Sequence, residues 1–170
     1  MSNISDRITK KIFLSKTIRG IAIIVFVFYA LVMLSELFLG GHRWYSSEFR
    51  YNLVPFKTIS RYIVDYHRYN FNTWFINLFG NVLAFMPLGF LAPIIFHKKL
   101  PTIKNVFGLS LTIPFLIEII QLVLRVGSFD IDDIILNSIG VMLGYLILII
   151  VLKTIKKMLK SEYLHGYSVL

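Results

Sequence analysis

Four long apolar runs alternate with shorter polar and basic segments along the 170-residue chain. An α-helix needs about 20 consecutive apolar residues to cross a bilayer. The runs therefore predict spans at about residues 18–39, 74–96, 105–124 and 131–152. A cleaved signal peptide is the alternative for the first run, but its apolar region would be only about 7 to 15 residues and would end in a small-residue cleavage site. We find no such site near residues 37–41 and favour an uncleaved span.

The connection between the first two runs, residues 40–73, is the only long one, and it is rich in tyrosine and tryptophan. These aromatic side chains favour the membrane interface. Within it, Phe56 to Tyr69 places apolar and charged positions on separate helical faces, which predicts an amphipathic helix lying on the bilayer surface. An ordinary solvated loop with one helical turn is the alternative.

Composition supports a membrane protein, because 56% of the residues are hydrophobic and the mean hydropathy is +0.72. Soluble domains have about 45 to 50% apolar residues. We predict an all-α fold, an integral membrane four-helix bundle with an additional amphipathic interfacial helix in the first extracytoplasmic loop. The bundle is one domain, residues 18–152, between a cytoplasmic lead, 1–17, and a basic cytoplasmic tail, 153–170.

The net charge of +9 comes from 18 Lys and Arg residues that flank the apolar runs. With the N-terminus inside, 12 of them fall on the cytoplasmic side and 6 on the other, which predicts that both termini are cytoplasmic. No basic stripe interleaved with exposed aromatic residues is present, so nucleic-acid binding is not expected. The absence of cysteine excludes disulfides and thiolate chemistry.

The segment from Pro114 to Tyr145 carries an unusual density of polar side chains for an apolar chain. Residues three and four apart share a helical face. One such face ends the third span, and a second one begins the fourth span. The first face holds Glu118, Gln121 and Arg125, and the second holds Asp133, Asn137, Gly140 and Gly144.

A helical rise of about 1.5 Å per residue places Asn81, Glu118 and Asn137 about 9 to 10 Å below the outer surface. Ionisable residues at membrane depth usually face the bundle interior or a wet cavity. The sequence thus predicts an outward-facing polar site. The alternative is that Glu118 only fixes helix packing through hydrogen bonds. The candidate ligand-binding residues are Asn77, Asn81, Glu118, Gln121, Arg125, Asp130, Asp133 and Asn137.

Asp130 begins the fourth run, where a helix N-cap explains it without any ligand. Asp130 and Asp133 fall on nearly one helical face, whereas Asp132 points elsewhere, so Asp133 is the stronger candidate for the site. A carboxylate cluster can bind a divalent metal or supply a general acid and base. No histidine and no glycine-rich phosphate loop lies beside these residues, so we predict no metal and no cofactor.

Four motifs in sequence order resemble the VanZ-like family of bacterial membrane proteins. The resemblance covers residues from about Tyr51 to Tyr145. The motifs are NLVPF at 52–56, the asparagines Asn77 and Asn81 before FMPLGF at 85–90, Glu118 with Gln121, and FDIDD at 129–133 followed by Asn137, Gly140 and Gly144.

This resemblance implies a multi-pass protein of the bacterial plasma membrane, in a family whose founding member is associated with resistance to teicoplanin. We expect a protein that lowers susceptibility to teicoplanin-type lipoglycopeptides. The expected partners are the lipid bilayer and either the antibiotic or a lipid-linked cell-wall precursor. An integral membrane enzyme acting on a lipid-linked envelope substrate, with Glu118 and Asp133 as catalytic candidates, is the alternative. Transport is less favoured because four spans offer little lumen, and a homo-oligomer is left open.

Overall fold

A computed structural model describes residues 15–38, 48–100 and 102–167, with side chains described as far as residue 161. Most of the predicted cytoplasmic lead and the aromatic pair Trp44 and Tyr45 lie outside the described residues. The elements, in chain order, are α1 (Lys16–Phe38), β1 (Tyr51–Asn52), α2 (Lys57–Val64), a 3-10 turn (Tyr66–Arg68), α3 (Phe71–Phe75), a π-helical segment (Ile76–Gly80), α4 (Asn81–Ile95), α5 (Ile103–Val123), β2 (Phe129–Asp130) and α6 (Ile131–Tyr167).

The described residues contain four helices long and apolar enough to cross a membrane, which confirms the all-α membrane bundle. The second span begins three residues earlier than predicted, at Phe71, because the Asn70 side chain accepts a hydrogen bond from the Thr73 amide at 2.8 Å and caps the helix. The third span is one continuous helix that passes through Pro114. The fourth helix continues through the basic tail as far as Tyr167.

The second span is not a uniform α-helix, because a π-helical segment, Ile76–Gly80, joins α3 to α4. Such segments are rare in proteins and occur frequently at functional sites. This one contains Asn77 and ends immediately before Asn81. Beyond it, α4 keeps its helical conformation through both Pro87 and Pro93.

Helix α6 is the centre of the bundle, since α4 and α5 both pack against it and α1 packs on α4. The contact between α4 and α6 brings the two backbones together. A Cβ atom added to Gly140 would meet the carbonyl oxygen of Val82, and one added to Gly144 would meet that of Met86. Small residues permit this close approach in membrane bundles. Both glycines therefore serve contacts within one chain, so they give no support to the homo-oligomer, which stays a prediction.

The loop before α2 is joined to the turn before α6 by two short parallel strands. Tyr51 pairs with Phe129 and Asn52 pairs with Asp130. This pairing was not predicted from the sequence. It fixes α2, which is shorter than the amphipathic helix predicted for residues 56–69, beside the first turn of α6 at one end of the bundle.

Candidate functional site

The polar site is built around the first two turns of α6, where residues of three spans meet. Asn81 of α4 donates a hydrogen bond from Nδ2 to Oδ1 of Asp133 at 2.7 Å. Glu118 of α5 accepts one at Oε2 from the backbone N–H of Asp130 at 2.9 Å. Glu118 is 3% exposed, so its carboxyl group lies inside the protein and not against lipid.

Asn137 lies one turn beyond Asp133 on α6 and is 3% exposed. Its Oδ1 atom is buried and has no hydrogen-bond donor among the described residues. A buried acceptor without a donor costs about 1 to 3 kcal/mol, and such groups in folded proteins call for an explanation. The Asn137 carbonyl, the Asp133 carboxyl and the Glu118 carboxyl make this region rich in hydrogen-bond acceptors.

Asp132 has a different role from its neighbours and is fully buried. One carboxylate oxygen accepts a hydrogen bond from the Phe56 amide, and the other accepts from the amides of Thr58 at 2.7 Å and Ile59 at 3.1 Å. These are the first amides of α2, which carry the positive end of the helix dipole. Asp132 therefore caps α2 from a position 74 residues away along the chain from Thr58.

Asp130 also holds this loop and begins α6, as its position suggested. Oδ1 accepts hydrogen bonds from the Asp132 amide at 2.9 Å and from Nδ2 of Asn52 at 3.1 Å. Oδ2 accepts from the hydroxyl of Thr58 at 2.7 Å. Any ligand contact by Asp130 would have to replace these bonds, so Asp130 holds the loop and the start of α6.

Helix α2 covers the site from the end of the bundle. The indole N–H of Trp74 donates to the Tyr62 carbonyl at 3.0 Å, which ties α2 to the start of the second span. Burial raises the pKa of Tyr62, and Tyr69, Asp133 and Asp130 raise it further against the opposing charge of Arg61. The Tyr62 hydroxyl thus lies close enough to Asp133 and Asp130 to interact electrostatically with their carboxylates.

The remaining predicted site residues take part in local or helix-to-helix contacts. Asn77 donates to the Thr73 carbonyl of its own helix at 2.7 Å. Gln121 is 4% exposed and donates to the Leu37 carbonyl at 2.9 Å, which fixes the end of α1 against α5. The Arg125 guanidinium lies 4.5 Å from the ring centre of Phe49, a cation–π geometry.

Sequence reasoning missed four residues that shape this region: Asn52, Thr58, Tyr62 and Trp74. A local signal existed for Asn52, because an asparagine two residues before a Val-Pro pair favours a turn closed by its side chain. The Val54 amide donates a hydrogen bond to Oδ1 of Asn52 at 3.3 Å.

Within the described residues, no three His, Asp or Glu side chains are grouped so that they could hold a metal ion.

Fold and site together define a small α-helical integral membrane protein with four spans and a buried polar cluster at one end. A family model described as VanZ/LLP1 matches residues 21–152. The chain belongs to the VanZ-like family.

One relative is Protein VanZ from Enterococcus faecium, which is 34% identical over 91 residues. The alignment covers 48% of this chain and 54% of that protein, so the chain matches about half the length of this relative. No solved structure matches the chain.

Proposed function

We propose that this protein lowers susceptibility to teicoplanin-type lipoglycopeptides by binding the antibiotic, or a lipid-linked envelope component, at the polar cluster of Asn81, Glu118, Asp133 and Asn137. Family membership and the similarity to Protein VanZ support this class of function. The buried acceptor of Asn137 is the observation that carries the binding site. If Asn137 served only packing, a hydrogen bond to this oxygen would make the fold more stable. In a binding site, the oxygen can accept its hydrogen bond from the ligand.

The chemistry of the cluster favours a ligand rich in hydrogen-bond donors. Two carboxyl groups and an amide oxygen offer acceptors, so the complementary ligand group is an ammonium, an amide N–H or a sugar hydroxyl. Such bonds to a charged partner are about twice as strong as neutral ones. The low dielectric around Glu118 strengthens them further.

The surface beside the cluster suits a ligand that also carries a lipid chain. Apolar side chains of α2 and of the residues that flank it remain exposed, including Phe56, Ile63, Val64 and Phe71. These residues lie at the end of the bundle where the polar cluster is found. A ligand with a polar head and a hydrocarbon tail would place the head at the cluster and the tail along this surface.

The proposal includes an orientation in which the cluster faces the outside. The basic residues favour cytoplasmic termini, since 12 of the 18 fall on that side. Both α2 and the first turn of α6 then lie at the outer surface, where a glycopeptide meets the membrane. This orientation can be tested separately with a single cysteine introduced at Ser60 in α2. If α2 lies outside, this cysteine should react with an impermeant maleimide on intact cells.

The decisive variant is Asn137→Leu expressed in a teicoplanin-susceptible bacterium. Leucine has the same branched shape and the same number of side-chain heavy atoms as asparagine and removes the buried acceptor, so we expect the four-helix fold to be retained. We expect the affinity of the purified protein in nanodiscs for teicoplanin to fall about tenfold or more, and susceptibility to return to that of the empty vector. Glu118→Gln should lower resistance in the same assay.

Asn72→Leu serves as the control, because Asn72 is exposed near the start of the second span. It should retain full resistance at equal membrane abundance, measured by immunoblot. If Asn137→Leu protein is folded and abundant and leaves both affinity and susceptibility unchanged, the assignment of the binding site is wrong. If the wild-type chain itself gives no resistance, the proposed function fails.

A further inference from the structure

A second feature of the bundle is a groove between α5 and α6, which begins next to the polar cluster at Ser138 and extends toward the opposite end of the bundle. Its volume is about 380 Å³, within the range of roughly 300 to 1,000 Å³ found for ligand pockets. The α5 wall includes Ile103 and Phe107, and the α6 wall runs from Ser138 to Ile149. Both walls belong to membrane-spanning helices, so the groove opens toward the hydrocarbon region.

The lining of this groove is apolar although two serines contribute to it. The Ser110 hydroxyl donates to the Phe107 carbonyl at 2.8 Å, and the Ser138 hydroxyl donates to the Ser110 carbonyl at 2.6 Å. Both hydroxyl protons are thereby used inside the protein. The groove offers no polar group that would favour a sugar or a peptide, and a hydrocarbon chain matches it.

The length of the groove along α6 corresponds to the thickness of one leaflet. Ser138 is seven residues, or about 10 Å, from the start of α6 at Ile131, and Ile149 is about 27 Å from it. The hydrocarbon core is about 30 Å thick. The groove thus extends about 17 Å along α6, close to half the thickness of the core, a length that fits an acyl chain of one leaflet.

Basic side chains follow the groove at its end away from the polar cluster. Lys153 lies four residues after Ile149 and seven after Leu146, so it continues the face of α6 that lines the groove. Lys104 lies next to Ile103 and three residues before Phe107 on α5. Both lysines are exposed.

Acidic residues are absent from this end in the part of the chain whose side chains are described. Those acids fall at the end of α1, in the loop before the second span, in α5 near its C-terminal end and around the start of α6. They are Glu36, Glu48, Asp65, Glu118, Asp130, Asp132 and Asp133. The mouth of the groove is therefore positively charged.

We propose that this groove binds an anionic diacyl phospholipid, with one acyl chain along α5 and α6 and the phosphate headgroup beside Lys104 and Lys153. The occupant follows from the apolar lining, the length of one leaflet and the positive charge at the mouth. An open apolar groove in a bilayer is in contact with lipid at all times, and the lysines select the headgroup. This site is independent of the proposed function at the polar cluster.

The test uses the purified full-length protein and native mass spectrometry with equimolar phosphatidylglycerol and phosphatidylcholine of identical acyl chains. We expect the wild-type protein to retain phosphatidylglycerol preferentially. Lys104→Glu and Lys153→Glu should each reduce that retention about fivefold or more, because each basic residue near a headgroup contributes attraction of that order. Leu146→Trp should fill the groove and remove the bound lipid.

Matched variants distinguish this site from general attraction to the surface. Lys16→Glu changes an exposed lysine at the same end on α1, which does not line the groove, and should retain the lipid. Ile150→Trp should also retain it, because Ile150 is 53% exposed, close to the 50% of Leu146, but lies outside the groove. Circular dichroism confirms helical content for every variant.

Three results would overturn the proposal. The first is equal retention of the two lipids by the wild-type protein, and the second is a loss with Lys16→Glu as large as that with Lys153→Glu. The third is a dimer mass that disappears with Leu146→Trp, which would assign the groove to a second copy of the chain.

Discussion

A Gly144→Leu protein should fail to assemble its bundle. The added side chain would meet the Met86 carbonyl and the Phe90 amide of α4, and backbone atoms in two packed helices have little freedom to move aside. Overpacking usually costs about 1 to 3 kcal/mol, and a clash between backbones belongs at or above the upper end of that range. We expect little monodisperse protein in size-exclusion chromatography and a lower midpoint of thermal unfolding by circular dichroism.

Gly108→Leu is the matched control for this experiment. Gly108 lies within α5, and a Cβ atom added there would meet nothing within 4 Å. Leucine is also the better helix former, by up to about 1 kcal/mol. The Gly108→Leu protein should therefore be as stable as wild type, and equal damage from both substitutions would mean that the close contact between α4 and α6 is not what Gly144 provides.

An Asp132→Ala protein should lose the docked conformation of α2 while keeping its four spans. The substitution removes the acceptor of three amides at the start of α2, and a hydrogen bond to a charged group contributes about 1.5 to 3 kcal/mol. The loop carries Lys57, Arg61 and Arg68, so its release can be followed as faster trypsin cleavage between α1 and α3. Helical content should fall only slightly.

Asp65→Ala provides the comparison within the same loop. Asp65 contacts Arg68 at 3.5 Å in a pair open to solvent, and surface pairs contribute roughly 0 to 1 kcal/mol. Its cleavage rate should match that of wild type. If Asp132→Ala is cleaved no faster than Asp65→Ala, the carboxylate of Asp132 does not hold α2 in place.

The number and position of the spans could be predicted because they depend on local properties of the chain. A run of about 20 apolar residues is sufficient to define a membrane helix, and the i to i+4 spacing is sufficient to place Asp133 and Asn137 on one face. The hydrogen bond from Asn81 to Asp133 shows that this face of α6 is turned toward α4. The polar cluster itself stays a prediction as a binding site.

The capping of α2 could not be predicted because it joins residues far apart in sequence. Nothing near Asp132 indicates that its acceptors belong to the amides of Thr58 and Ile59, and a helical wheel drawn for α6 alone directs it away from the cluster. The role of Gly140 was also ambiguous, since small residues pack helices within a chain and between chains equally well. Only the observed contact with Val82 decides between them.

The hydrogen bonds between Asp132 and α2 also determine when α2 can dock during synthesis of the chain. Residues 56–59 leave the ribosome long before residue 132, so their amides have no internal acceptor while the second and third spans are inserted. Closing a loop of this length costs entropy that only the finished hairpin of α5 and α6 can offset. This contact between α2 and Asp132 therefore forms only after the fourth span has been made, and a chain stalled before that span would lack the acceptor for the first amides of α2.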